Sequence, residues 1–331
     1  MLASLKQKVL DMLFEIAKAT YEDLKKYTPE KLAQIAEQGS GDVVYKIDVK
    51  PEQIVEEYFN KLGEEIPLLG ISEKTGTRIY GNNEPEYFAI ADPLDGTRHL
   101  MYQLQDTAFS LVGLGKVKED ETPKLEDIEF CAMLQVPNLD KKYIDLVIAE
   151  KGKRTKIERY ETETWEKVET LKPTPSKASS IAHGFVAFTS FFPPREHLAK
   201  IADYVVEKVI GKIEKGKALV FFHEYISNAG QFYYLLTGRY RMVADLRPLQ
   251  EEVLKKQGKE LGLCAHPYDV CCALALKEAG CIITDGFGSE EGFWNYPCDT
   301  QTNVHFMAFA NGKLYKEIAP IVVEAMEELW G

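Results

Sequence analysis

The segment Tyr87-Phe88-Ala89-Ile90-Ala91-Asp92-Pro93-Leu94-Asp95-Gly96-Thr97 constrains this chain more than any other. Its apolar start reads as a buried strand, which then delivers two carboxylates, a backbone carbonyl and a run of turn amides within six residues. Asp92 and Asp95 are three apart across a turn stiffened by Pro93, so both side chains and the Leu94 carbonyl offer oxygen ligands on one side to a hard cation such as Mg2+. Gly96 and Thr97 then lead into a short helix, whose first amides and dipole favour an anion. The pattern reads as a metal-dependent phosphate site. Spacing alone is not the signal, because 52 acidic residues in 331 predict about eight Asp/Glu pairs at spacing three by chance. The signal is the order of strand, proline-stiffened acidic turn and Gly-Thr, against which the bland alternative is a surface Asx-turn.

The rest of the composition is compatible with such a site. At 45% hydrophobic, 331 residues suffice for one large or two ordinary domains with a sizeable core. The net charge of -12 provides no basic footprint for a nucleic acid polymer. It also repels phosphate esters at long range, so a site for them needs local cation charge. The six cysteines lack C-x-x-C spacing and read as reduced thiols of a cytoplasmic protein, and no apolar run approaches the length of a membrane span or resembles a signal peptide.

Leu2, Leu5, Val9, Leu13, Ile16 and Thr20 recur at helical spacing, and Ile54, Val55, Tyr58, Phe59 and Leu62 do so again behind Pro51, which suits a first helical position. Short β-like runs follow at 108–115, 130–136 and 143–149, and the charged stretch up to Lys172 reads as an exposed hairpin or loop. Pro173-Thr174-Pro175-Ser176 is the linker candidate, dividing the chain into domains 1–174 and 175–331. The second half reads as a strand at 181–188, a helix through Leu198, Ile201, Val205 and Val209, a helix at 226–236, a strand at 240–244, a helix opened by Asp269 and stopped at Gly280, and a buried strand at 281–284. The charged insertion 250–261 reads as helical.

Asp92-Pro93-Leu94-Asp95-Gly96-Thr97 resembles the first signature of the inositol monophosphatase and fructose-1,6-bisphosphatase superfamily. His266-Pro267-Tyr268-Asp269-Val270-Cys271-Cys272-Ala273, running on to Glu278-Ala279-Gly280-Cys281-Ile282-Ile283-Thr284-Asp285, resembles its W-D-x-A-A-G block ending in E-A-G-G-x-(V/I)-T-D. Ile71-Ser72-Glu73 is similar to the family's metal-binding glutamate segment and Lys46-Ile47-Asp48 to its earlier aspartate. The likeness runs from about Gly39 to the C-terminal helix, and the stretch Gly39-Ser40-Gly41-Asp42 through Ile47-Asp48, with the later Asp245-Leu246-Arg247, looks most like prokaryotic inositol monophosphatases, including dual-activity archaeal forms. Three departures stand out. Lys74 follows Glu73 where the family usually has a second acid, Tyr268 replaces the tryptophan, and Cys271-Cys272 replace a small-residue pair, a change expected to affect only helix packing.

The resemblance implies a layered αβαβα sandwich of two mixed-sheet domains, of α+β or α/β class and sugar-phosphatase type. It implies metal ligation by Glu73, Asp92, the Leu94 carbonyl, Asp95 and Asp269, with two or three Mg2+ ions for which Mn2+ can substitute. In it the Thr97 hydroxyl orients the attacking water and Asp48 accepts from that hydroxyl. Substrate contacts are expected from Gly96, Thr97, Arg98, Ser227, Asn228, Asp245 and Arg247. The implied activity is hydrolysis of a small polyol or sugar phosphate of the inositol monophosphate type, by a homodimer. Fructose 1,6-bisphosphate and 3'-phosphoadenosine nucleotides remain alternatives. A haloacid-dehalogenase-type phosphatase is disfavoured because its aspartates are separated by one residue, not two. From a different class, a catalytically silent relative that binds metal or phosphate for regulation is the competing reading, and Lys74 is what would permit it. His99 and His266 flank the motifs but have no partner spacing suggesting a triad.

Overall fold

The computed structural model describes residues 2–37, 44–119, 121–212 and 214–331, so the stretch 39–42 of the resemblance lies outside the described residues. The chain opens with α1 (Leu2–Lys26), α2 (Pro29–Leu32), a ribbon of β1 (Ile35–Glu37) and β2 (Val44–Tyr45), and α3 (Lys46–Glu65). Leu5, Val9, Leu13 and Ile16 of α1, with Ile54, Val55, Phe59 and Leu62 of α3, are buried in one cluster against the first sheet, as their spacing predicts. Helix α3 starts at Lys46, so Pro51 is an internal residue and not the first helical position expected. The Asp48 carboxylate explains the earlier start: it accepts the Tyr45 N–H at 2.9 Å and satisfies a donor at the helix entrance.

Eight strands form the first sheet: β3 (Leu68–Ser72), β4 (Gly76–Tyr80), β5 (Tyr87–Asp95), β6 (Ala108–Lys116), β7 (Ile128–Val136), β8 (Tyr143–Glu150), β9 (Lys156–Glu161) and β10 (Lys167–Leu171). Their order is β10-β9-β8-β7-β6-β5-β3-β4, antiparallel throughout except where β3 runs parallel to β5. The charged stretch before Lys172 is the β9–β10 hairpin at the sheet edge. A short α4 (Thr97–Met101) follows β5.

After Leu171 the chain crosses to a second sheet. Its elements are β11 (Phe185–Phe188), α5 (Glu196–Ile210), β12 (Phe221–Phe222), α6 (Asn228–Leu236), β13 (Tyr240–Asp245), α7 (Glu251–Lys256), α8 (Leu274–Glu278), β14 (Ile282–Asp285), α9 (Glu290–Trp294), β15 (Phe306–Phe309) and α10 (Gly312–Trp330). The strand order β12-β11-β13-β15-β14 is mixed, parallel around β11 and antiparallel around β15. Helices α1 and α3 cover the first sheet, α6 and α8 lie between the sheets, and α5 and α10 cover the second. The fold is thus an α+β sandwich in αβαβα layers. Only 251–256 of the expected helix at 250–261 is α-helical, and the expected helix from Asp269 to Gly280 is a 3-10 turn, Pro267–Val270, followed by α8.

The prolines at 173 and 175 lie in the connection between the two sheets, but that connection is pinned. Thr174 N–H donates to the Leu236 carbonyl at 2.8 Å, and the Asn311 amide donates to the carbonyls of Ser176 and Ala178 at 2.8 and 2.9 Å. One apolar cluster runs from Phe109, Met133 and Val147 of the first sheet to Phe232, Leu276 and Phe306. A polar tie crosses the same seam, where the Tyr233 hydroxyl of α6 donates at 2.5 Å to Asp145 of β8, whose carboxylate also takes both Nε and Nη2 of Arg159. Tyr233→Phe should therefore lower stability by about 1.5–3 kcal/mol, the usual contribution of a hydrogen bond to a charged group. Urea unfolding measures it, and an unchanged midpoint would show that the tie contributes nothing.

Candidate metal and phosphate site

The site begins with an irregularity in β5. In a regular strand residues three apart point to opposite faces. Here Asp92 pairs with Leu111 and Asp95 with Phe109, three steps on β5 against two on β6, so one extra residue is accommodated. Pro93 has no N–H to give the ladder and sits inside this bulge, where its loss is least disruptive. The strand thus continues through the segment expected to be a turn, and the bulge brings Asp92 and Asp95 to one side. The Asp92 carboxylate accepts the Leu94 N–H at 2.9 Å, which fixes its direction.

Gly96 then adopts φ 93°, a left-handed conformation, and a Cβ there would approach the Ser227 Cβ to 3.0 Å. Glycine at this point lets β5 turn into α4 while the second half of the chain packs close. Asp95 uses that closeness. Its Oδ2 accepts from the Ser227 hydroxyl at 2.9 Å and from the Ala229 N–H at 2.7 Å, at the start of α6. Asp269 arrives from the second half on its 3-10 turn, with one oxygen held by the His266 N–H at 2.6 Å.

Asp92, Asp95 and Asp269 each place a carboxylate oxygen so that all three lie within 4.8 Å of one another. Burial and mutual repulsion push Asp92 and Asp269 well above the usual carboxylate range, and burial lifts Asp95 to about 7. Two buried carboxylates and the partly buried one of Asp269 fit a divalent cation in this arrangement, since it supplies the charge that removes their repulsion and their all-oxygen character suits a hard ion. Glu73, in the turn after β3, lines the same cleft but is outside this triad of oxygens, and it is ion-paired with Lys74. The Leu94 carbonyl, the other expected ligand, faces the Thr97 hydroxyl at 2.9 Å.

Beside the aspartates, the Thr97 hydroxyl lies 2.8 Å from Asp48 Oδ1. A hydroxyl has one proton, and a carboxylate accepts it more strongly than a carbonyl does. The other Asp48 oxygen holds the Tyr45 N–H, so the cap role and the partnership with Thr97 coexist in one side chain. Burial raises Asp48 to about 6, and the nearby Glu73 charge adds to the shift.

These groups open into one cleft between the two halves of the chain. Gly96, Arg98, Ser227, Asn228 and Arg247 line it. Ser227 is committed as the cap of α6, accepting the Gly230 N–H at 2.8 Å. Asp245 does not line the cleft. It is fully buried, and its oxygens accept Arg247 Nε and Nη2 at 2.8 and 2.6 Å and the Asn228 amide at 3.5 Å, so it reaches the cleft by fixing those two side chains. His99 is buried against Tyr225 away from the cleft, whereas His266 lines it.

Sequence reasoning passed over two features. Phe191 and Phe192, in the loop before α5, form an aromatic wall, with Arg247 4.8 Å from the Phe191 ring and Arg98 4.8 Å from the Phe192 ring. The string Phe191-Phe192-Pro193-Pro194 directly after a strand was the available signal. Glu52, one helical turn after Asp48, is buried and accepts the Ser72 hydroxyl and the Lys74 N–H, both at 3.1 Å. Its i+4 spacing from Asp48 was the clue.

The chain has the fold of the inositol monophosphatase and fructose-1,6-bisphosphatase superfamily. Among solved structures it is similar to the extragenic suppressor protein SuhB of Bartonella henselae, with a TM-score of 0.61, 15% identity and coverage of 96% of this chain and 98% of that one. The IMPase of Thermotoga maritima aligns with a TM-score of 0.57, 16% identity and coverage of 97% and 98%. Fructose-1,6-bisphosphatase of Leishmania major aligns with a TM-score of 0.65, 14% identity and coverage of 96% and 94%. No family model and no curated protein matches the sequence. Among the described residues no helix is long and apolar enough to cross a membrane.

If the aspartates bind a cation, saturating Mg2+ should raise the unfolding temperature over that in chelator, since a ligand at about a hundredfold over its Kd adds roughly 2.7 kcal/mol. Asp95→Asn should abolish most of the increase. Identical melting curves with Mg2+ and with chelator would count against the site.

Proposed function

We propose that this chain is a Mg2+-dependent phosphomonoesterase acting on a small polyol or sugar phosphate, with inositol monophosphates the first candidates. The observation that carries this reading is the meeting of Asp92 and Asp95 from β5 with Asp269 from the second half, at a cleft that also holds the Thr97–Asp48 pair. In this reading Asp92, Asp95 and Asp269 hold the cation, with Glu73 and the Leu94 carbonyl as further oxygen donors. Bound Mg2+ supplies charge neutralisation for the phosphate, activation of water and stabilisation of the leaving oxygen.

The chain's own groups do the positioning. Thr97 gives its proton to Asp48, which leaves its oxygen lone pairs to accept from a water and aim it. The N–H of Tyr45 keeps Asp48 from swinging away. The amides at the start of α4 favour the phosphate oxygens, and the aromatic wall of Phe191 and Phe192 restricts bulk water. A second reading, a substrate with a further anionic group such as fructose 1,6-bisphosphate, is favoured by the Arg98 guanidinium on the cleft wall, the Arg247 guanidinium being already paired with Asp245.

Phosphate release from inositol monophosphate, fructose 1,6-bisphosphate and 3'-phosphoadenosine nucleotides, with Mg2+ and with chelator, tests the proposal. Release from none of them in Mg2+ would favour the silent regulatory relative. Thr97→Ala should reduce kcat by roughly 10²-fold with little change in cation affinity, as expected when an aiming group is lost. Altered cation affinity with normal kcat would instead make Thr97 a ligand.

The pH profile follows from Asp48. The carboxylate must be ionised to accept from Thr97, and its pKa is raised to about 6. Activity should therefore be full above this value and fall at lower pH, with the acid limb at or below about 6 because a bound cation favours the ionised carboxylate. Asp48→Asn should have low activity without that acid limb. A wild-type rate that stays flat well below the limb would remove Asp48 from the mechanism.

A further inference from the structure

Glu73 differs from the three aspartates in having a lysine ammonium of the chain's own as its direct partner. The Lys74 ammonium is paired with Glu73 Oε1, and the two side chains are only 23% and 24% exposed. Both line the cleft. The turn that carries them is held from behind, because Glu52 accepts the Ser72 hydroxyl on one oxygen and the Lys74 N–H on the other. With its backbone anchored by a buried carboxyl, the turn presents Glu73 and Lys74 together instead of letting the lysine extend to solvent. The charge environment favours the pairing. Glu73 repels Asp48, Glu52, Asp92, Asp95 and Asp269, and Lys74 attracts the carboxylates of Asp48 and Glu52.

We propose that Lys74 is an internal counter-cation for Glu73, so that a divalent ion engages this carboxylate only by displacing the lysine ammonium. The inference rests on the cation-dependent reading above and specifies how the chain limits it. An ammonium and a divalent cation repel strongly at the few ångströms that separate two partners of one carboxylate. The cleft therefore has a strong cation position at the three aspartates and a restrained one at Glu73. Lys74 acts here as a positioning residue, through the carboxylate it holds.

Mn2+ binding to the 331-residue chain, followed by calorimetry and by the signal of free Mn2+ in electron paramagnetic resonance, tests this with wild type, Lys74→Met, Glu73→Gln and the double variant. Lys74→Met should bind Mn2+ roughly three- to tenfold more tightly or take up an additional ion, a size set by discounting a close charge pair for its partial exposure. That gain should vanish when Glu73 is also replaced, and Lys74→Arg should behave as wild type. A Lys74→Met isotherm that superimposes on wild type overturns the proposal. A gain of the same size in the Glu73→Gln background also overturns it, since the effect would then be a general field and not competition for one carboxylate. Binding that is lost in Asp95→Asn yet indifferent to Lys74 refutes this inference alone, whereas no Mn2+ binding in any of these proteins refutes the cation-dependent reading with it.

Discussion

The rest of the site depends on one backbone constraint, the extra residue that β5 accommodates at Pro93. A strand alternates its side chains, and without the bulge Asp92 and Asp95 would face opposite sides of the eight-stranded sheet. With it, both carboxylates leave the sheet on the side where α6 and the turn carrying Asp269 pack. Pairing with β6 resumes at Asp95, and Gly96 then turns the chain into α4, which places Thr97 next to Asp48. A proline in the middle of a nine-residue buried strand would ordinarily argue against the strand, but here it marks where the strand is interrupted for use.

Collecting so many carboxylates in one buried region is unfavourable, and the chain offsets it with local hydrogen bonds. Asp48 and Asp269 each accept the backbone N–H three residues earlier, so each closes the start of its own helical turn while facing the cleft. Asp95 stabilises the start of α6, and Asp245 is neutralised by the guanidinium it holds. Every one of these bonds fixes a direction as well as lowering the cost of burial. The remaining repulsion, seen in the upward displacement of Asp92, Asp95 and Asp269, is what a bound cation removes. Stability without the ion and affinity for it are therefore opposed in this arrangement.

Much of the site was legible because its chemistry is local in sequence. Asp92, Asp95, Gly96 and Thr97 stand within six residues, and the stretch around Asp269 carries its own pattern. What escaped the sequence depends on contacts between distant segments or on competition among weak local preferences. Glu52 looks like any exposed helical glutamate until the Ser72–Lys74 turn closes over it. Asp245 looked like a substrate contact because nothing in the string Asp245-Leu246-Arg247 states that the aspartate and arginine hold each other. The Pro51 reading failed because the hydrogen bond from Tyr45 to Asp48 starts α3 five residues earlier than the proline suggests. The segment from Asp269 to Gly280 has helical composition, yet tight packing of Cys272 onto the first sheet accompanies a 3-10 turn and a short helix in place of one continuous helix.

The aromatic wall has a consequence for how such a protein can change. Phe191 and Phe192 follow β11, and Arg247, Leu263 and Cys264 come from the excursion after β13, so this side of the cleft is built from loops of the smaller sheet. Apart from Asp269, the acidic groups of the cleft come from α3, β5 and the turn after β3, and the Thr97 hydroxyl from α4. Loops tolerate insertion and exchange far better than strands and helices do. The aromatic wall can therefore drift in shape, charge and length while the aspartates and the Thr97–Asp48 pair stay fixed, and the excursion between Arg247 and Leu263 is where such drift has the most room.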